Sequence, residues 1–139
     1  MVNFIIITHG EFGAYLMEAA EKIVGRQSEG VRVVAISPRL GVEELRRGVA
    51  RAVAELRSDD GLVVLTDMPG GTPSNIVLPL VKDLPRVAVI SGINLYMIIS
   101  AFNARAARLP LEEAVRKILA DAARSIRDIK AVLGAAAVH

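Results

Sequence analysis

The sequence predicts an α/β protein: a doubly wound, mainly parallel sheet of four to five strands with helices on both faces, in three layers. Three observations lead there. Short β-branched runs alternate with longer stretches whose apolar residues recur at helical spacing, the order that produces parallel pairing through right-handed crossovers. Apolar residues make up 53% of the 139-residue chain and aromatics only 4%, so the core is Val, Ile, Leu and Ala, as in strands covered on both faces. Glycine, proline and asparagine gather where the apolar runs end, which is where turns belong.

Taken in order, Val2–Ile7 reads as the first strand. Phe12–Val24 reads as a helix with Leu16, Ala19, Ala20, Ile23 and Val24 on one face, stopped at Gly25. Val31–Ile36 is a second strand, closed by Ser37-Pro38. In Val42–Leu56 the set Val42, Leu45, Val49, Ala52, Val53 and Leu56 keeps helical spacing. Asp59-Asp60-Gly61 turns into a third strand, Leu62–Leu65. Thr72 is placed to cap a helix with Pro73 at its first position, running to about Lys82. Pro79 falls inside that span and should kink it or end it early. Val87–Ile90 is a fourth strand and Leu95–Ala106 a further helix. Pro110 opens the last helix, Leu111 to about Val132, with Leu111, Val115, Ile118, Leu119, Ala122, Ile126 and Ile129 facing inward. One domain, 1–132, is expected, followed by a short flexible tail, 133–139.

Bulk properties exclude several function classes. With 17 basic and 15 acidic residues the net charge is +2, and the basic residues are scattered without interleaved aromatics, a pattern that disfavours nucleic acid. There is no cysteine, which removes disulfides and thiolate metal sites. The two histidines are His9 and the terminal His139, too few for a histidine-rich metal centre. The first strand begins at once, with no signal-like segment before it, so a cytoplasmic protein is expected. Val87–Ala104 carries no charge and is long enough to span a bilayer, but Ser91-Gly92-Ile93-Asn94 divides it into a strand and a helix start.

Chemistry is concentrated where strands end. Thr8-His9-Gly10 follows the first strand, and Thr66-Asp67 then Gly70-Gly71-Thr72-Pro73-Ser74-Asn75 follow the third. In a parallel sheet both run-ends share one edge, the edge at which ligands of doubly wound folds bind. His9 and Asp67 are therefore expected to meet. A carboxylate that accepts a hydrogen bond from one ring nitrogen leaves the other nitrogen free as a nucleophile and stabilises charge building on the ring. The Gly70-Gly71-Thr72 turn opens a helix whose first amides and partial positive charge suit an anion, with Gly10, Gly71 and Thr72 as phosphoryl-binding candidates. No lysine follows as in a P-loop. Thr8, Thr66, Asn75 and Asn94 stand in a supporting ring. Gly92-Ile93-Asn94-Leu95 reads equally as a packing turn capped by Asn94 or as a direct contact. Glu11 reads as a first-turn helix carboxylate, and no hydrolase elbow is present.

These motifs, in this order and over about Met1 to Lys130, resemble the enzyme IIA component of the mannose/fructose class of the bacterial phosphoenolpyruvate-dependent sugar phosphotransferase system. The resemblance implies a phosphoryl carrier that needs no cofactor. His9 would accept phosphate from phospho-HPr on Nε2 and pass it to an enzyme IIB histidine, with Asp67 holding the other ring nitrogen and Thr72 near the phosphoryl group. It also implies a doubly wound fold, a homodimer with a C-terminal segment packed across it, and contact with the membrane only through a permease complex. The chain differs from the family pattern at Pro69, where an aromatic residue is common, and at Tyr96, where proline is common. No IIB domain follows within this sequence.

Two other function classes compete. A regulatory module, switched by phosphate on His9 or by an anion at the Gly71-Thr72 turn, would accept label without passing it on. A receiver-like domain would need an acidic pair after the first strand to bind magnesium, and Thr8-His9 stands there instead.

Overall fold

The computed structural model describes the backbone of residues 1–138 and the side chains of residues 1–134. Four strands, β1 (Asn3–His9), β2 (Val31–Ile36), β3 (Leu62–Thr66) and β4 (Val87–Ile90), form one sheet in the order β2-β1-β3-β4. Every pairing is parallel. The helices among the described residues are α1 (Phe12–Val24), α2 (Val42–Leu56), α3 (Thr72–Val81), α4 (Leu95–Ala106), α5 (Leu111–Ser125) and α6 (Ile129–Val138). The sheet thus sits at the lower end of the expected strand number, and the doubly wound arrangement holds.

Alternation along the strands explains the three layers. In β1, Phe4 and Ile6 face one way and Ile5 and Ile7 the other, all fully buried. Phe4 and Ile6 join Val63 and Leu65 of β3 and the inner faces of α1, α4 and α5. Ile5 and Ile7 join Val64, together with Leu45, Val49 and Val53 of α2 and Ile76, Val77 and Val81 of α3. A strand apolar on both faces survives only when both are covered, and here they are.

The helix ends show where local chemistry departs from expectation. Gly25 terminates α1 with φ 107°, a conformation that favours glycine. α3 runs through Pro79 to Val81; a proline there removes one helical hydrogen bond, and the burial of Val77 and Val81 outweighs that loss. The expected last helix is two helices. α5 ends when Ile126 turns extended at φ −92°, ψ 104°, and Asp128 starts α6 by accepting the Ala131 N–H at 3.1 Å. This break carries Ile126 and Ile129 outward, at 82% and 68% exposed; Leu119, within α5, is exposed because the buried face of that helix is Leu111, Ala114, Ile118, Asp121 and Ala122. Ala114 and Asp121 take inward positions instead. Ile23 and Val42 are likewise exposed. The backbone is helical through Val138, within the segment expected as a tail, and His139 lies outside the described residues.

The uncharged stretch Val87–Ala104 divides into β4 and α4. Among the described residues no helix is long and apolar enough to cross a membrane.

Candidate active site

The strand order places the site. β1 lies between β2 and β3, so the chain reverses its direction of winding between β1 and β3, where open α/β sheets hold their ligands. Ile7 of β1 pairs with Thr66 of β3. Continuing each strand brings His9 and Asp67 together at the carboxyl edge.

Asp67 Oδ2 accepts two hydrogen bonds from His9, from the backbone N–H at 2.8 Å and at ring Nδ1 at 2.6 Å. Its other oxygen, Oδ1, accepts the Met68 N–H at 2.8 Å. The Asp67 side chain is 10% exposed and that of His9 47%. Burial works to raise the Asp67 pKa, but the His9 amide, the His9 ring and the Met68 amide together outweigh it and hold the carboxyl below its ordinary range. An ionised carboxylate only accepts hydrogen bonds, so Nδ1 carries a proton, and in the neutral ring the lone pair sits on Nε2. The ring is therefore held from one side and open to solvent on the other.

The glycine turn closes on this ring. A Cβ on Gly71 would lie 3.3 Å from His9 Cε1, so the backbone at the head of α3 passes directly beside the imidazole. Gly71, not Thr72, is the N-cap residue of α3, and no side chain caps the helix. Thr72 is therefore the first helical residue, exposed to solvent, with Pro73 second. Gly10 adopts φ 61° next to His9, and its N–H donates to the Ile36 carbonyl at 2.8 Å, which ties the β1–α1 turn to β2.

The supporting residues take structural roles. Thr8 is fully buried and its Oγ1 accepts the Gly13 N–H at 3.1 Å, fixing the start of α1 rather than meeting an anion. Thr66 is also buried, with its hydroxyl 3.4 Å from that of Ser74. Asn94 caps α4 by accepting the Met97 N–H at 2.9 Å, so the packing reading of that turn holds. Asn75 is exposed one turn into α3. Glu11 precedes α1 without a side-chain capping bond. Sequence reasoning missed Ser74, whose hydroxyl donates to the Met68 carbonyl at 3.1 Å; a hydroxyl one turn into a helix behind a glycine pair was the available signal.

Several apolar side chains on the segments that follow the strands are exposed: Met68 at 52% and Tyr96 at 51%, with Phe12 and Tyr15 on the first turn of α1. Pro69 and Tyr96, the two departures from the family pattern, are both exposed.

Comparison with known proteins bears on the family of the chain. A family model described as PTS system fructose IIA component matches residues 3–119. The mannose-specific EIIAB component of Escherichia coli K12 is 28% identical over 130 residues, 94% of this chain; the chain spans only 40% of that protein's length. The fructose-specific EIIA component of Bacillus subtilis is 25% identical over 76% of this chain and 71% of its own. Among solved structures, the phosphotransferase system component EIIA from Streptococcus agalactiae superposes with a TM-score of 0.83 at 28% identity, covering 94% of this chain and 99% of that one. On the match over residues 3–119, the chain belongs to the enzyme IIA family of the mannose/fructose class of the phosphotransferase system.

Proposed function

We propose that this chain is a reversible phosphoryl carrier, taking phosphate onto His9 from phospho-HPr and handing it to a histidine of an enzyme IIB. The observation that carries this reading is the Nδ1–Asp67 hydrogen bond of 2.6 Å, which in the neutral ring puts the free lone pair on Nε2 of a half-exposed side chain. In the transfer, the Nε2 lone pair forms a bond to phosphorus as the donor's P–N bond breaks. The bonding pair returns to the donor's ring nitrogen. The His9 ring, with Nδ1 still protonated, becomes cationic, and the Asp67 carboxylate lies against that charge. Gly71 and Thr72 receive the phosphoryl oxygens at the positive end of α3, while Gly10, its N–H committed to the Ile36 carbonyl, holds the turn beside His9. Running the steps backwards onto a IIB histidine completes the cycle, and no cofactor is needed.

An open site suits this exchange. Two protein histidines must approach in line across one phosphorus atom, which a deep cleft would forbid. Met68, next to Asp67, and Phe12, at the start of α1, are exposed and offer apolar surface for such partners. The carrier is proposed to work in the cytoplasm and to reach the membrane only through a permease complex. A homodimer is part of the same proposal: α6 presents Ile129, Val132 and Leu133 to solvent, and an isologous contact would cover them.

Incubation with phosphoenolpyruvate, enzyme I and HPr tests the reading. An acid-labile, base-stable label should appear on His9 and move on when a IIB protein is added. Label retained by His9→Ala would end the proposal, and label that never moves on would mark a regulatory module instead.

A further inference from the structure

The loop between Asp67 and α3 contains a peptide with a single polar handle. Pro69 has no amide hydrogen, so the Met68–Pro69 peptide offers only its carbonyl. That carbonyl accepts the Ser74 hydroxyl at 3.1 Å. Beyond it, Gly70 sits at φ 76° and Gly71 follows, two residues with little intrinsic stiffness. The preceding peptide is held at both ends. Its carbonyl, on Asp67, accepts the Gly92 N–H at 3.1 Å, and its N–H, on Met68, donates to Asp67 Oδ1 at 2.8 Å.

We propose that Ser74 is a positioning residue for His9, acting through Met68 and Asp67; the proposal rests on the phosphoryl-carrier reading for its kinetic consequence. Ser74 is 5% exposed, so its hydroxyl is committed to the protein. Its one proton goes to the Met68 carbonyl, which makes Thr66 the donor in the 3.4 Å contact between the two hydroxyls. The buried relay runs from Thr66 to Ser74 to the Met68 carbonyl. Fixing both peptides around Met68 fixes the amide that grips Asp67 Oδ1, and Oδ2 of the same carboxylate grips the ring. Without the Ser74 hydroxyl, the loop from Met68 to Gly71 keeps only its two ends.

Ser74→Ala tests this, since it removes one atom and keeps the helix. Nitrogen NMR of the unphosphorylated protein reads the His9 tautomer with no donor present, and stopped transfer reactions from phospho-HPr read kcat and KM. The expected result is a ring signal shifted towards mixed tautomers and a kcat reduced about threefold to tenfold, the range spanned by one neutral hydrogen bond, with KM unchanged. A wild-type ring signal with wild-type kcat overturns the proposal, as does a change confined to KM. A shifted ring signal in a protein whose parent accepts no phosphate would sink the carrier reading and leave the positioning of His9 by Ser74 standing.

Discussion

Asp67 holds His9 twice through one oxygen: Oδ2 accepts the backbone N–H at 2.8 Å and meets ring Nδ1 at 2.6 Å. The first contact fixes where the strand delivers the residue, and the second fixes which way the ring faces. A single carboxylate thereby sets both position and tautomer.

Replacing that carboxylate with its neutral isostere separates the two tasks. Asp67→Asn should fold and still accept the His9 amide, yet lose the charge that faces the ring. Transfer from phospho-HPr is expected to slow by ~10²–10⁴-fold, as for other orienting carboxylates. Rapid-quench assays and circular dichroism on the same sample check both halves.

Acid should erase part of the stability that Asp67 provides. Its native pKa is held below the unfolded value, so the stabilisation is complete above about pH 4 and is lost as pH falls through the native pKa. The stability difference between wild type and Asp67→Asn should therefore shrink on acidification. Asp121, held low by the Lys117 ammonium, the Ser100 hydroxyl and Arg124, titrates in the same sense in both proteins and cancels. Urea denaturation across a pH series measures the difference.

Gly71→Ala should harm transfer more than folding. Backbone φ there is −84°, which alanine adopts freely, but the new Cβ would stand 3.3 Å from His9 Cε1 and 3.3 Å from Met68 Cε. Met68 gives way at its flexible end, while the ring can only swing off line. A loss of about tenfold to hundredfold in transfer rate is expected for a displacement of this kind, with an almost unchanged thermal midpoint.

The proposed dimer has its own assay. Leu133→Asp places a charge on the exposed apolar face of α6, where Leu133 is 64% exposed. Sedimentation should find a dimer for the parent and a monomer for the variant, with His9 labelling intact in both. A parent that sediments as a monomer rejects the dimer and spares the carrier.

Much of this molecule was legible because period and punctuation agreed. The bounds of α1, α2 and α4 follow directly from apolar spacing ended by glycine or opened by a capping residue such as Asn94. The His9–Asp67 meeting followed from parallel topology alone. The α5–α6 break was hidden because Ile126-Arg127-Asp128 contains no glycine or proline; Asp128 as a capping residue was the signal to weigh. Thr72 seemed the cap because side-chain hydroxyls favour that position, yet the extended conformation falls to Gly71. Thr8 and Thr66 face inward because residues of a strand buried on both sides have nowhere else to point. Which hydroxyl faces a ligand and which a neighbouring amide depends on side-chain direction, and spacing does not encode that.

The central place of β1 sets how the molecule breathes. From Phe4 to Thr8 the strand is fully buried and flanked on both sides by hydrogen-bonded neighbours, so its amide protons reach solvent only when the whole domain opens. Their deuterium exchange should report global unfolding, while α6 exchanges through local fraying. His9 is thus anchored to the last segment of the chain to come apart.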